Sequence, residues 1–363
     1  MVYTPGENQF PDPTLIDTSL GRPPAEPGFP PPGTGLPEEP PKPRRRRRKG
    51  RIIALVVGSL VVMIVLLLVS LWLYADNSLH HVDAIDDYAG RPAGGAGTNW
   101  LIVGSDSRQG LSSAQANQLH TGSAQDVSGS RTDTIMLLHL PGHGKPTMVS
   151  LLRDSYVSIP GHGKDKINAA FALGGPKLLV RTVEENTGLR IDHYAEIGLG
   201  GFASVVGDVG GVRMCLDQAV HDQYAGVNLH AGCQTLNGPN ALGYVRSRHA
   251  FASSDYARTE HQRQFVAALA GKLTSPGVML NPFRSIPAIL DLPGALTVDH
   301  GAGLWDLVTL ARHVRHFSSV VSTAVPIGGS DGSNLLWDPA KSQQLFHDLN
   351  HDQAIPADLI TTQ

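Results

Sequence analysis

Residues 244–265, YVRSRHAFASSDYARTEHQRQF, concentrate cationic side chains, with four arginines and two histidines against two acids. Arg258 and Gln262 are four residues apart and share one helical face, whereas Arg246 and Arg248 share a face only in extended backbone. A guanidinium pairs two phosphate oxygens at once, and helix N-termini attract anions. The stretch therefore indicates a pyrophosphate site, although ordinary surface ion pairs would explain any one arginine alone.

Two aspartates lie at the ends of apolar runs. Asp106 ends the run NWLIVGSD, and Asp133 opens the run DTIMLLHL. Both runs are typical of buried strands, which would deliver each carboxylate at a strand end. Two carboxylates beside a phosphate site suit Mg²⁺, which keeps several waters and bridges to phosphate oxygens. Taken separately, each aspartate is equally well explained as a cap or turn residue.

Two other motifs suggest chemistry and are set aside. The string GSDSR contains serines, but no G-x-S-x-G elbow with a histidine partner accompanies it. The pentapeptide PGHGK occurs at residues 141–145 and again at 160–164. A paired metal site is one interpretation, and tight turns that need the glycines are the favoured one.

Residues 52–75 carry no charge and are long enough to cross a membrane as a helix, with Trp72 and Tyr74 suited to the interface. A cleaved signal peptide is the competing interpretation, but the run is too long and starts too late. The preceding RRRRRKGR places the N-terminus in the cytoplasm and the rest outside. This basic run is better explained by topology and anionic lipid than by nucleic-acid binding.

Composition divides the rest of the chain. Residues 1–51 form a predicted disordered cytoplasmic tail, because their thirteen prolines leave few large apolar side chains. Residues 76–97 are predicted to be a stalk, and 98–350 an extracytoplasmic catalytic domain. Residues 109–130 lack apolar periodicity and are expected to form a mobile loop, and 351–363 a loose tail.

Strand-like and helix-like segments alternate through the domain, which indicates a layered α/β fold. Helices are expected at 166–173 and 176–187, with Pro176 at the start of the second and Gly188 after its end. Cys215 and Cys233 both lie beyond the predicted span. An even pair without a Cys or His cluster favours a disulfide over a metal site.

The ordered motifs LIVGSDSR, RTDTIMLLHL, SLLRD, IPGHGKDKINAAFALGG, TVEENTGLRIDHYAEIGLGGF and LNGPNALGYVRSRH resemble the LytR-CpsA-Psr family of bacterial envelope proteins, over residues 98–275. The resemblance implies a layered α-β-α domain with a central mixed sheet. It implies a Mg²⁺-dependent phosphotransferase that moves a glycopolymer (teichoic acid, arabinogalactan or capsule-like) from an undecaprenyl-pyrophosphate carrier to a peptidoglycan hydroxyl. Its partners would be the polyprenyl-pyrophosphate-linked glycan, peptidoglycan and membrane lipid, and not nucleic acid.

The same resemblance implies roles for individual residues. Asp106 and Asp133 would hold the metal, and Asp154 would orient Arg153 or take the proton of the acceptor. The implied pyrophosphate ligands are Arg153, Arg246, Arg248, Arg258 and Gln262, with Lys166, Arg108 and Arg131 as weaker candidates beside the motifs.

Two positions depart from the family pattern. Leu152 stands where a proline often precedes the first arginine, and His261-Gln262-Arg263 replaces the usual Arg-Gln-Gln. Because the pair of Arg258 and Gln262 remains, the departures bear on fine geometry rather than on activity. A hydrolase of the same lipid pyrophosphates and a non-catalytic envelope sensor or regulator remain as alternatives.

Overall fold

A computed structural model describes residues 46–107, 113–119, 121, 132–247, 254–314 and 320–360. The proposed tail before residue 46, most of the 109–130 loop, and residues Arg108, Arg131 and Arg248 lie outside this described part. So do the side chains of Asp133 and Arg258, whose backbone is described.

The helices and strands follow in this order: α1 Arg46–Asn77, β1 His80–Val82, β2 Thr98–Ser105, α2 Ser113–Gln118, β3 Thr132–Leu140, β4 Thr147–Ser150, β5 Tyr156–Ile159, β6 Gly163–Lys166, α3 Ile167–Thr187, β7 His193–Gly198, α4 Leu199–Asp208, β8 Val212–Leu216, β9 Val220–Asp222, β10 Val227–Leu229, β11 Gly232–Leu236, α5 Gly238–Arg246, α6 Ser254–Leu273, α7 Pro276–Met279, α8 Pro282–Ala295, β12 Leu296–Asp299, α9 Leu304–Val314, β13 Val321–Ala324, β14 Ile327–Asp331, β15 Asn334–Trp337 and α10 Pro339–Asn350.

Helix α1 contains the stretch predicted to span a membrane. Its segment Gly50–Asn77 is long and apolar enough to do so, and its most apolar part is not buried within the protein. The helix begins at Arg46 and therefore includes most of the basic run, which was expected to belong to an irregular tail that ends at residue 51. Arginine is a good helix former, which explains the earlier start.

The central sheet has seven strands in the order β1-β12-β7-β2-β3-β4-β13. It is mixed, because β1–β12, β2–β7 and β4–β13 pair in parallel and the other neighbours antiparallel. This confirms the expected fold class of a mixed α/β domain with a central mixed sheet.

Both faces of this sheet are covered, which explains why the strands β2 and β3 contain the uninterrupted apolar runs WLIV and IMLL. Leu101 and Val103 pack on one face with α3 and α10, in a cluster here called the first core. Trp100 packs on the other face with α9 and the end of α1, in the second core. Because successive strand residues point to opposite faces, a run such as WLIV supplies both cores.

Helix α3 confirms the two helices predicted on either side of residues 174–175. Gly174 and Gly175 have non-helical backbone angles, and Gly175 has φ of 66°. Gly188 ends the helix with φ of 73°, in the left-handed conformation that glycine adopts without strain. The kink therefore divides α3 at the position that the sequence indicated.

A third cluster of buried side chains lies among α4, α5, α8 and the two-stranded pairs β8–β11 and β9–β10. Cys215 and Cys233 are directly opposite each other in the β8–β11 register and form a disulfide. The predicted disulfide is thus confirmed, and it fixes one edge of this cluster.

Residues 76–97 are not the free stalk that the sequence suggested. Strand β1 is an edge strand of the central sheet, and Ala84 is buried in the first core. Arg91 donates to Glu184 of α3 at 3.0 Å, and Lys177 lies 2.6 Å from Asp86. The polar residues that looked like a solvated linker pair with charges on α3, so the folded domain begins before residue 98.

The end of the chain also packs, contrary to the loose tail expected from residue 351. Asp352 accepts hydrogen bonds from the His139 ring at 2.9 Å and from the backbone N–H of Gly142 at 2.9 Å. Leu359 is buried in the first core, and its carbonyl accepts from the Thr323 hydroxyl at 2.7 Å. A few apolar side chains and one aspartate hold this segment, which composition alone does not reveal.

An ion pair joins β7 to the end of β12. His193 Nδ1 lies 3.5 Å from Asp299 Oδ1, and Asp299 also accepts the backbone N–H groups of Tyr194 and Gly301. Asp299 raises the pKa of His193, although burial opposes this. The pKa of Asp299 is lowered. Burial acts to raise it, but the hydrogen bonds from His193 and from the two backbone N–H groups lower it by more.

We expect His193→Gln to remove a pH dependence of stability above neutral pH. A histidine whose pKa is raised in the folded state stabilises the protein at pH values below its unfolded-state pKa of about 6.5. This stabilisation is lost as the pH rises through the folded-state pKa. Denaturant unfolding of the full chain between pH 6 and 9 measures it. Burial lowers the pKa of His139, so that histidine acts at lower pH. An equally steep decline in the variant would contradict the assignment.

Candidate active site

The two aspartates predicted to hold a metal come together at one end of the β2–β3 pair. Asp106 directly follows β2, and Asp133 is the second residue of β3. The register shifts between Gly104 opposite Thr134 and Ser105 opposite Thr132, so Asp133 is the residue passed over. Such bulges occur beside active sites, where they change the direction of a side chain.

Asp106 and Asp133 are the residues at this end that could hold a divalent cation. The Thr132 hydroxyl is buried and has no hydrogen-bond partner among the described residues. Thr132 precedes Asp133 and is opposite Ser105, the residue before Asp106. The described residues contain no cluster of three or more His, Cys, Asp or Glu that could hold a metal. A cation at this end would have at most two carboxylates from the described strand ends, and Mg²⁺ sites in proteins commonly have one or two carboxylates completed by waters and substrate phosphates.

Helix α4 begins beside the residue that follows Asp106. The backbone N–H of Leu199 donates to the Ser107 carbonyl at 3.2 Å. A Cβ atom at Gly198 would lie 3.0 Å from the same carbonyl oxygen. Glycine at position 198 therefore allows the start of a ten-residue helix to approach the aspartate end of the sheet.

Arg153 leaves the sheet next to the same end. The Leu151 N–H donates to the Ile135 carbonyl at 2.9 Å, which continues the β3–β4 pairing past Ser150. Counting two more residues along each antiparallel chain brings Arg153 level with Asp133. This extrapolated register puts the backbone of Arg153 near that of Asp133, at the end of the β2–β3 pair that Asp106 follows.

Asp154 lies between two cations. Its Oδ1 accepts from Lys166 Nζ at 2.8 Å, and its Oδ2 lies 3.3 Å from Arg153 Nε. All three side chains are mostly buried but still reach solvent. Lys166, one of the weaker candidates from the sequence, thus contacts the group that the resemblance placed beside Arg153.

A cavity of about 430 Å³ opens beside this triad. Its charged end is formed by the triad and its other end by small and apolar side chains from the first turns of α3. The lining residues are Arg153, Asp154, Asp165, Lys166, Asn168, Ala169, Ala172 and Leu173. A phosphate at the charged end could therefore carry an apolar or glycan group along α3.

The second group of predicted phosphate ligands lies at the end of α5. Arg246 Nη1 donates to the Leu119 carbonyl at 3.3 Å. Gln262 of α6 is buried and donates from Nε2 to the Val245 carbonyl at 2.9 Å. Gln262 therefore fixes the C-terminal end of α5 next to Arg246, a role that sequence spacing did not indicate.

An apolar cluster joins the α5 group to the aspartate end. Leu119, Leu199 and Leu242 are buried together. Leu199 is the residue whose N–H contacts Ser107, and Leu119 is the residue whose carbonyl contacts Arg246. Ser107, the neighbour of Asp106, and Arg246 are thus each hydrogen-bonded to the backbone of a residue in one small cluster.

Sequence reasoning missed three features near the site. Arg263, noted only as a departure from the family pattern, is buried in α6. The rings of His261 and Tyr244 lie 5.2 Å apart between α6 and α5. The Ser247 hydroxyl donates to the buried Asp222 carboxylate at 3.1 Å. Ser247 lies between Arg246 and Arg248 in the sequence, and this position is the signal that could have identified it.

Comparison with known proteins places these features in a family context. A family model described as the LytR_cpsA_psr family matches residues 76–347. The chain is 50% identical over 283 residues to the probable cell wall biosynthesis protein LcpB of Corynebacterium glutamicum. The match covers 77% of this chain and 66% of LcpB, so this chain spans about two thirds of that relative.

Solved structures share the fold. The LytR-Csp2A-Psr enzyme from Actinomyces oris superposes with a TM-score of 0.57 at 24% identity, covering 75% of this chain and 96% of that one. B. subtilis TagT also has a fold similar to that of this chain, in the structure described as TagT bound to LI-WTA. That comparison has a TM-score of 0.52 at 25% identity and covers 74% of this chain and 94% of the other.

Proposed function

We propose, from the premise that this chain belongs to the LytR_cpsA_psr family, that it transfers a glycopolymer from an undecaprenyl-pyrophosphate carrier to a hydroxyl of peptidoglycan. The observation that carries the proposal is that Asp106, Asp133 and Arg153 follow or open strand ends at one end of the sheet, and that Arg153 and Lys166 line a cavity there together with Asp154. The relative LcpB, a probable cell wall biosynthesis protein, supports the same assignment.

The proposed reaction exchanges one phosphorus–oxygen bond for another. The acceptor hydroxyl oxygen attacks the phosphorus that carries the glycan. The bond from that phosphorus to the bridging oxygen breaks, and undecaprenyl phosphate leaves. The product is a phosphodiester between polymer and peptidoglycan, and the hydroxyl proton passes to a base.

The protein's part in such a transfer is mainly to position groups and to stabilise spreading negative charge. Arg153 and Arg246 would bind the phosphate oxygens, and Lys166, which lines the cavity, would contribute further positive charge. Gln262 acts through α5, whose end it holds in place. Arg248, Arg258 and Arg108 remain proposed ligands from the motifs.

Asp106 and Asp133 are the residues that would hold Mg²⁺, which would supply positive charge to the phosphate oxygens when bound. Asp154 is the proposed base, since its carboxylate reaches the cavity and lies outside the proposed metal pair. Its two cationic neighbours also make it a positioning residue for Arg153.

The proposed location follows from α1. With α1 in the cell membrane and the basic run in the cytoplasm, the domain lies outside, on the surface where a polyprenyl carrier is anchored. Enzyme and donor then share one bilayer, so the donor reaches the site by lateral diffusion.

The test uses the full chain in vesicles with a short polyprenyl-pyrophosphate glycan and peptidoglycan. Polymer bound covalently to peptidoglycan, released again by phosphodiester cleavage, is the expected product. Free polymer phosphate without attachment would replace the proposal by a lipid-pyrophosphate hydrolase. If the donor is recovered unchanged with a folded protein and Mg²⁺ present, the remaining interpretation is a non-catalytic regulator.

Lys166 and Asp154 should affect different kinetic constants. We expect Asp154→Asn to lower kcat by about 10²-fold, because a positioned base contributes at least this much. Lys166→Met should mainly raise KM for the donor, because the ammonium group lines the cavity and would bind the donor without taking a proton. Steady-state rates at several donor concentrations separate the two, and an unchanged kcat in Asp154→Asn would contradict the role as base.

A further inference from the structure

A second cavity lies on the C-terminal half of helix α3, between that helix and the segment that follows β1. Its volume is about 300 Å³. Leu173 lines the cavity beside Asp154, and Gly174, the next residue, lines this second cavity. Gly174 and Gly175 form the kink that divides α3. The two cavities are therefore lined by consecutive residues at the kink, and the proposed function assigns no group to the second one.

The lining of the second cavity carries charges of both signs. Lys177 and Arg181 both line it, and because they are four residues apart they share one face of α3. Asp86, from the segment after β1, lies 2.6 Å from Lys177 Nζ, and these two side chains are 50% and 55% exposed. An ion pair this exposed contributes at most about 1 kcal/mol, so its two members can exchange each other for charged groups of a ligand.

Arg181 has unused hydrogen-bond donors. Its Nε pairs with Glu185 at 2.8 Å, and its guanidinium lies 4.5 Å from the centre of the Tyr88 ring. Within the part of the chain that the structure describes, Nη1 and Nη2 make no hydrogen bond. Contact with the ring holds the guanidinium plane in place. The side chain thus offers two free nitrogen donors to the cavity, an arrangement that suits a carboxylate.

The buried part of the lining has its charge already paired. Glu184 accepts from Arg91 Nε at 3.0 Å and from the Ile191 backbone N–H at 2.9 Å. Ala84 and Val180 contribute apolar surface and belong to the first core. The charges available to a ligand are therefore one carboxylate and two cations, beside apolar surface.

We propose that the second cavity binds the peptide of the peptidoglycan acceptor, a peptide that carries carboxylates and an amino group. Arg181 and Lys177 bind a carboxylate of this peptide, and Asp86 exchanges Lys177 for the peptide's ammonium group. Charges of both signs favour such a zwitterionic peptide over a polyanion, because Asp86 would repel the phosphates of a glycopolymer. The inference rests on the proposed function and adds to it the place where the acceptor is held.

The spacing of the two cavities agrees with one acceptor molecule that reaches both. Ala169 lines the cavity beside Asp154, and Arg181 lines the second cavity, twelve residues later on α3. This separation is about 18 Å along a helix. At about 3.4 Å per residue, a sugar with a short attached peptide covers the distance. A peptide bound at Arg181 therefore leaves the hydroxyl of its sugar close to the proposed base.

Equilibrium binding of a soluble disaccharide–peptide fragment of peptidoglycan to the full chain in nanodiscs tests this proposal by calorimetry. We expect Arg181→Gln to weaken binding about 10-fold or more, because it removes a charged hydrogen-bond partner. Glu185→Gln is the matched control, since Glu185 contacts Arg181 at the surface but does not line the cavity, and this variant should bind as tightly as the parent chain. Amidation of the peptide carboxylates should weaken binding to the parent chain and have little further effect in Arg181→Gln.

Equal affinity of the parent chain and of Arg181→Gln for the fragment would overturn the proposal, as would equal affinity of the parent chain for the fragment and its amidated form. Binding of a glycerol-phosphate oligomer that is tighter than that of the fragment, and that Arg181→Gln abolishes, would assign the cavity to the polymer instead. The measurement contains no transfer step. Fragment binding that depends on Arg181, in a chain that transfers no polymer, would therefore remove the proposed function and leave the peptide site.

Discussion

Replacing Asp106 with asparagine lowers the rate of polymer transfer by about 10²–10³-fold, the usual cost of losing one electrostatic group at a charge-stabilising site. Asp133→Asn is expected to do the same. Asparagine keeps the size and most hydrogen-bonding capacity of the side chain, so the loss reports charge. Transfer of labelled glycan to peptidoglycan by full-length protein in vesicles measures the rate.

Asp165→Asn is the matched control for this experiment. Asp165 lines the same cavity but belongs to β6 rather than to the β2–β3 pair, and it accepts a hydrogen bond from the backbone N–H of Lys166. Its variant should retain the parental rate. Calorimetric Mg²⁺ titration adds a readout besides activity, since both bulge variants should bind more weakly. Parental rates and Mg²⁺ affinity in Asp106→Asn would refute the metal assignment.

Glu184→Ala is expected to destabilise the folded domain by about 3–5 kcal/mol, the cost of leaving a buried charge without its partner. The Glu184 side chain is 1% exposed and that of Arg91 is 7% exposed, and they are 3.0 Å apart. Glu184 also accepts the Ile191 backbone N–H at 2.9 Å. Denaturant unfolding, monitored by tryptophan fluorescence, measures the loss of free energy.

Glu185→Ala supplies the comparison one residue away. Glu185 pairs with Arg181 on the surface of the same helix, and such pairs contribute about 0.3–0.5 kcal/mol. The double variant Arg91→Met with Glu184→Leu should recover much of the stability, because it removes both buried charges. Equal effects of Glu184→Ala and Glu185→Ala would show that the stalk segment is not held by this pair.

The central strands were predictable because their burial on both faces leaves a strong local signal. The runs WLIV and IMLL admit few other interpretations, and Gly174, Gly175 and Pro176 mark the break in α3. Residues 76–97 and 351–360 misled composition-based reasoning. Their fixation depends on single long-range partners, such as Glu184 for Arg91 and His139 for Asp352, and no local pattern encodes them.

The candidate site was predictable to the level of strand ends. Asp106 directly follows β2 and Asp133 is the second residue of β3, so the pairing of these strands puts their backbones at one end of the sheet. The contact of Lys166 with Asp154 and that of Gln262 with α5 could not be derived, because each depends on how separate elements pack. Motif matching gave Gln262 a ligand role, while the structure uses its amide to hold a helix end.

Only Ser78 and Leu79 separate helix α1 from strand β1, and β1 is hydrogen-bonded into the central sheet. A domain attached in this way has almost no free linker between it and α1. With α1 in the lipid as proposed, the domain would lie at a small, fixed height above the bilayer. Under the proposed function, new polymer would then be joined to the peptidoglycan nearest the membrane.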